Sequence, residues 1–228
     1  MRQKLQSAAL KIRRHGIAAT LYAAAVKALG AVAEFRILRG VAVARPDAAF
    51  LECPYAARLL DEAELRRFAG DPVNEMPPQF IDEAIARGDQ CYAILDGGRL
   101  AAYGWYAFGP TPIGLPGVLL RYRPGHVYMY KGFTHEAYRG QRLHAIAMTH
   151  ALRHYLFKGH AGIVSYVESI NFDSLRSCFR MGYSVFGTVY VVKALGRWWS
   201  WSTPGCARYD FRVARSAAAP SRGLIFGK

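Results

Sequence analysis

The chain of 228 residues is 52% hydrophobic and 20% charged, enough apolar content to bury a core, which excludes a disordered, collagen-like or coiled-coil chain. Four cysteines at 53, 91, 178 and 206 form no C-x-x-C pair and are too sparse for a disulfide framework, so single reduced thiols are expected. The formal charge of +14 is unevenly placed, with net +8 over residues 1–45, net −6 over 46–110 and net +12 over 111–228; such a field favours anionic partners without choosing among polyanions, lipid surfaces and phosphorylated small molecules.

In the first 45 residues Leu5, Ile12, Leu21, Val26, Leu29 and Val32 stand among alanines, with Lys4, Lys11, Arg13, Arg14, Lys27, Arg36 and Arg39 between them. That composition predicts a basic helical extension. Ala31-Val32-Ala33 matches the small-residue end of a secretory leader, but Lys27 interrupts the apolar stretch. A helix docked on the domain is expected, and a membrane-surface helix is the alternative. The main domain is expected over residues 46–195, and a Trp-rich segment with a C-terminal tail over 196–228.

Two short helices are predicted around Ala63-Phe68 and Phe80-Ile85, after the polar or proline-bearing starts at Asp61 and Pro77-Pro78. Cys91-Leu95 and Leu100-Phe108 read as strands joined by a tight turn, because Asp96-Gly97-Gly98 supplies positive φ. Residues 109–125, with Pro110, Pro112, Pro116 and Pro124, form a loop that no central strand would tolerate. His126-Thr134 is a strand, Ala137 to Lys158 a turn and a long helix, and Ile163-Val167 another strand. Asn171-Met181 is a helix closed by Gly182, and Tyr183-Val192 returns as a strand. Trp198, Trp199 and Trp201 then suit a core plug, an acyl-chain wall or an interfacial anchor. A last short strand is expected near 210–213, and a tail from Ser216. The order is mixed α/β without repeats.

Phe133-Thr134-His135-Glu136-Ala137-Tyr138-Arg139-Gly140-Gln141-Arg142-Leu143-His144-Ala145 and, further on, Asn171-Phe172-Asp173-Ser174 with Arg180-Met181-Gly182-Tyr183 carry a family resemblance. The first is similar to the strand, turn and pyrophosphate loop of the GNAT acyltransferases, the second to their later helix and its glycine-aromatic ending. The resemblance covers about residues 90 to 193. It implies an α/β (α+β) fold: a mixed, mostly antiparallel central sheet flanked by helices. It also implies acyl transfer, with acetyl-CoA or another acyl-CoA as co-substrate, to an amine of a small molecule or peptide, in the cytoplasm or at the inner membrane face. An acidic acyl carrier protein as acyl donor and a non-catalytic module that binds a polyanion are the rival readings; nucleic acid is not expected.

A loop that opens a helix presents unpaired N–H groups and the positive dipole end, which suit a pyrophosphate. On the resemblance, Phe133, Thr134, Arg139, Gly140, Gln141, Arg142, Leu143, His144 and Asn171 are the candidate cofactor-binding residues. Arg139 matches the family pattern, while Arg142 and His144 stand where small residues are usual. An attacking amine must lose a proton and the departing thiolate gains from an acid, so His135, Glu136 and Glu168 are candidate bases. Cys178 occupies the position of the family's acid tyrosine. His150 and His154 are spaced i, i+4 but lack a third ligand, and no metal site is expected.

Overall fold

The structure, a computed structural model, describes residues 10–33, 35–194 and 196–216; residues 1–9 of the expected extension and 217–228 of the expected tail lie outside the described residues. Eleven strands and five helices are set out here in chain order: α1 (Ile17–Ala33), β1 (Arg36–Val43), β2 (Ala56–Leu59), α2 (Glu62–Ala69), α3 (Pro78–Ala86), β3 (Gln90–Asp96), β4 (Arg99–Ala107), β5 (Thr111–Pro112), β6 (Val118–Arg121), β7 (His126–Thr134), α4 (Leu143–Phe157), β8 (Gly162–Glu168), α5 (Phe172–Arg180), β9 (Ser184–Ala194), β10 (Arg197–Ser202) and β11 (Arg212–Arg215). Residues 10–15 are helical as well, and Gly16, at φ +86°, separates them from α1.

Eight strands form one sheet in the order β10-β9-β1-β8-β7-β4-β3-β2, and a small sheet β11-β6-β5 packs against it. Every neighbouring pair in the large sheet is antiparallel except β7 with β8. The hairpin between β3 and β4 turns on Gly97 and Gly98, both at positive φ. On one face α4 buries Leu143, Ile146 and Ala147 against Ile94, Ala101 and Ala102. On the other, α2 and α3 bring Leu65, Phe68, Phe80 and Ile81 to Tyr103 and Trp105, while Leu120, Cys206 and Phe211 close over Leu38, Val189 and Val191.

Three segments lie elsewhere than their composition suggests. Within the expected loop 109–125, the proline-free run Val118–Arg121 forms β6, the middle strand of the small sheet. Residues 36–43, expected within the helical extension, form β1 in the middle of the sheet, paired with β8 on one side and β9 on the other. The β-branched, buried run Val41-Ala42-Val43 accounts for this. Arg36 and Arg39 disguise the strand, and both are matched: Arg36 meets the Glu168 carboxylate at 3.1 Å and Arg39 donates to Thr188 Oγ1 at 2.9 Å. Gly40 is required there, because the Phe186 ring lies where its Cβ would be, with Cζ 2.5 Å away. The Trp-rich segment, expected beyond the domain, becomes the edge strand β10 on β9.

Candidate active site

The parallel pair β7 and β8 is joined only from His126–Gly162 to Tyr128–Val164. Past that point each strand stays with its outer neighbour. β7 follows β4 as far as the Thr134–Ala102 pair, and β8 follows β1 as far as Glu168–Leu38, so the sheet opens into a wedge. Where the strands part, the buried Ser165 hydroxyl donates to the Met129 carbonyl at 2.7 Å. The register of β7 on β4 shifts there too: Tyr106 faces Met129 and Trp105 faces Lys131, which leaves Tyr130 as an extra, bulged residue. Parallel strands that part in this way leave room for an extended ligand to lie along the strand.

The wedge leads to the start of α4. A 3-10 turn at Glu136–Tyr138 is capped by His135, whose Nδ1 accepts the Ala137 N–H at 3.2 Å. Tyr138 ties the loop to the β3–β4 hairpin by donating to Asp96 Oδ2 at 2.7 Å, and the Tyr55 hydroxyl donates to Gln141 Oε1 at 3.1 Å. Gly140 takes φ +85° and Arg142, at the N-cap, φ +60°. Arg142 makes no side-chain cap, so the first-turn N–H groups point toward the loop side of the helix. Arg139, Gly140, Gln141 and Arg142 are exposed, while Leu143 is buried and pins the helix to the sheet.

His144 fills the space that a small residue would leave open. Its ring lies over Gly132 of β7, where an added Cβ would stand 2.5 Å from His144 Cε1 and 2.8 Å from Met129 Cε. Burial lowers the imidazole pKa from its ordinary value, so the ring is neutral at pH 7.

The remaining candidates divide between the wedge and its surroundings. Thr134 ends β7, and Glu168 ends β8 four residues past the last paired residue. Glu136 is exposed, further out along the loop. Phe133 turns to the far face and stacks on Tyr103 at 5.2 Å. Asn171 caps α5, its Oδ1 accepting the Ser174 N–H at 3.1 Å. Cys178 is buried in the apolar cluster that also holds Met129, Tyr106 and Tyr183, and burial pushes its thiol up to about 11. His150 bonds the Leu51 carbonyl at 2.9 Å.

Sequence reasoning missed the group beneath the bulge. The Tyr130 hydroxyl donates to Asp89 Oδ2 at 3.0 Å, and Arg87 reaches the same oxygen through Nε at 3.0 Å and Nη2 at 2.8 Å. The Asp89 side chain is only 2% exposed. Burial raises its pKa even against the pull of Arg87. Lys131 reaches the Glu75 carbonyl and lies 4.8 Å over the Phe80 ring. The signal available was the polar run Arg87-Gly88-Asp89 between an apolar helix and an apolar strand.

The sequence profile of the acetyltransferase (GNAT) family matches residues 56–183. The chain belongs to that family. A GNAT-family protein of Novosphingobium aromaticivorans superposes with a TM-score of 0.51 at 16% identity, over 69% of this chain and 63% of that one. That likeness establishes the GNAT fold. A GNAT-family acetyltransferase of Colwellia psychrerythraea gives 0.48 at 15% identity, over 69% and 56%. A Bacillus subtilis acetyltransferase solved in complex with CoA gives 0.41 at 17%, over 56% and 75%. The matched part thus spans about six tenths of the first of these GNAT chains and less of the second. No curated protein matches the sequence.

Proposed function

We propose that this GNAT chain transfers an acyl group, acetyl in the first instance, from acyl-CoA to an amine of a small molecule or peptide. The observation that carries the reading is the wedge between β7 and β8, which opens onto the basic start of α4. The first-turn N–H groups of α4, with Arg139 and Arg142, suit a pyrophosphate through dipole and charge-assisted bonds. The part of β7 beyond Tyr128, where its pairing with β8 ends, suits an extended pantetheine arm. The residues fit such a donor in these two respects, and the His144 ring over Gly132 narrows the path beside it.

In the reaction the amine nitrogen attacks the thioester carbonyl, the C–N bond forms, and the C–S bond breaks with release of CoA thiolate. The proton lost by nitrogen needs a base and the thiolate accepts a proton. Glu168, at the lip of the wedge, suits the first task better than Glu136, which lies out on the loop. Cys178 keeps its proton at neutral pH and suits the second, as a weak donor on the side of α5 that faces the cluster around Met129. An acyl-CoA donor makes a cytoplasmic site of action part of this reading; among the described residues no helix is long and apolar enough to cross a membrane. A phosphopantetheine arm on an acidic carrier protein would use the same wedge and the same exposed arginines.

Isothermal titration with CoA, acetyl-CoA and long-chain acyl-CoA tests the reading. Arg139→Glu and Arg142→Glu are expected to weaken CoA binding about tenfold or more while the fold is kept. Unchanged affinity in both folded variants would remove the assignment.

A further inference from the structure

The outer face of α1 is apolar although it faces solvent. Val26 is buried against the domain, and the Tyr22 hydroxyl donates to Ser169 Oγ at 2.9 Å, which fixes the helix's rotation. Ile17, Leu21, Ala25, Ala28 and Leu29 consequently point outward, at the spacing of one helix face. Ile17, Leu21 and Leu29 are between 55% and 65% exposed, and Leu10 and Ile12 before the Gly16 break are exposed as well. The charges in this stretch are Lys11, Arg13, Arg14 and Lys27, and residues 10–33 hold no acidic side chain.

A second element also carries exposed apolar side chains. Trp198 faces the small sheet, donating from Nε1 to the Pro116 carbonyl at 3.1 Å. This turns Trp199 and Trp201 outward from the edge strand β10, 56% and 53% exposed. A row of rings joins Trp201 to the end of α1: Phe35, two residues past the helix, stacks on Tyr190 at 6.5 Å, and Tyr190 on Trp201 at 5.3 Å. Exposed indoles beside an apolar helix face, with only cationic charge along the helix, are the features of an interfacial membrane contact.

We propose that α1 and β10 together form a docking surface for an anionic lipid bilayer, with Ile17, Leu21, Leu29, Trp199 and Trp201 entering the headgroup region and Lys11, Arg13 and Lys27 meeting lipid phosphate. This stands apart from the acyl-transfer reading and does not depend on it. Charge complementarity decides for a bilayer over a second copy of the chain, because two such faces would bring like charges together.

The test uses the full chain, since α1 leads directly into β1 in the middle of the sheet. Co-sedimentation with phosphatidylcholine vesicles containing phosphatidylglycerol is compared with pure phosphatidylcholine vesicles at low and high salt. The chain should sediment with the anionic vesicles, about tenfold less at high salt. Brominated lipid should quench tryptophan fluorescence, and the Trp199→Ser/Trp201→Ser variant should lose that quenching. The Leu21→Glu/Leu29→Glu variant, with an unchanged circular dichroism melt, should lose sedimentation about tenfold or more. Absence of binding, or equal binding by this variant, overturns the proposal, as does binding with no quenching of Trp199 and Trp201. Light scattering that shows a dimer dispersed by the Leu21→Glu/Leu29→Glu change would give the face to a second copy and overturn it equally.

Discussion

At the scale of single residues, Asp89 is a buried carboxylate that accepts three hydrogen bonds. It is shared by Arg87 and the Tyr130 hydroxyl, and lies beneath the bulge of β7. Removing one partner of a buried pair leaves the others desolvated and unmatched. Asp89→Ala is therefore expected to cost about 3–5 kcal/mol, read as a loss in urea-unfolding free energy. Asp89→Asn keeps an oxygen acceptor for Tyr130 and should cost less. Equal losses in the two variants would show that Tyr130 gains nothing from the acceptor. The run Arg87-Gly88-Asp89 was visible in the chain, but its Tyr130 partner was not, because Asp89 and Tyr130 are 41 positions apart. By contrast, Arg139 and Cys178 were proposed from their positions in motifs, which encode place along an element and say nothing of partners.

At the scale of elements, α2 shows how local chemistry fixes a helix. Asp61 caps it by accepting the Glu64 N–H at 2.8 Å, and Glu64 returns the bond to the Asp61 N–H. Arg58 of β2 then grips the Glu64 carboxylate through Nη1 at 2.6 Å and Nη2 at 2.7 Å. The bonds from Arg58 hold this carboxyl at about 2 instead of the ordinary 4.5. A pKa lower in the folded than in the unfolded chain stabilises above the unfolded value and loses that effect as pH falls through the folded one. Wild type and Glu64→Gln should thus differ most in urea midpoint above pH 4.5 and converge toward pH 2. A gap independent of pH would contradict this. The contact between α4 and β7 yields a second test. A Cβ at Gly132 meets the tip of His144, so Gly132→Ala is expected to cost about 1–3 kcal/mol. His144→Ala in the same chain should recover part of that loss, which a double-mutant cycle measures as coupling. Strict additivity would show that the ring gives way freely.

At the scale of the whole molecule, segments from both ends of the described chain complete the sheet. β1 lies between β8 and β9, β10 extends β9, and β11 pairs with β6. Cys206 and Phe211 are buried against Val189 and Val191. Gly205 passes so close to Phe186 that a Cβ would meet its carbonyl oxygen. Deleting residues 1–44, or everything after 195, is expected to abolish soluble folded protein, with loss of a cooperative melt by circular dichroism. A cooperative melt for either truncated chain would show that the central strands fold without these additions. The family profile, which spans residues 56–183, covers neither β1 nor β10.

The periodicity of local runs was enough to place most elements. The hairpin of β3 and β4, strand β7, the long helix α4 and the α5 helix with its Asn171 cap and Gly182 stop all depend on neighbours within one or two turns of chain. Motif spacing within 133–145 and 171–183 identified the family for the same reason. Three things needed the folded molecule. One is the insertion of β1 between two strands more than a hundred residues later in the chain. Another is the gathering of Arg87, Asp89 and Tyr130 beneath the wedge. The third is the row of rings that runs from Phe35, past the end of α1, through Tyr190 to Trp201 of β10. Each joins residues distant in sequence, and strand pairing and side-chain packing decide such neighbours only once the whole chain has closed on itself.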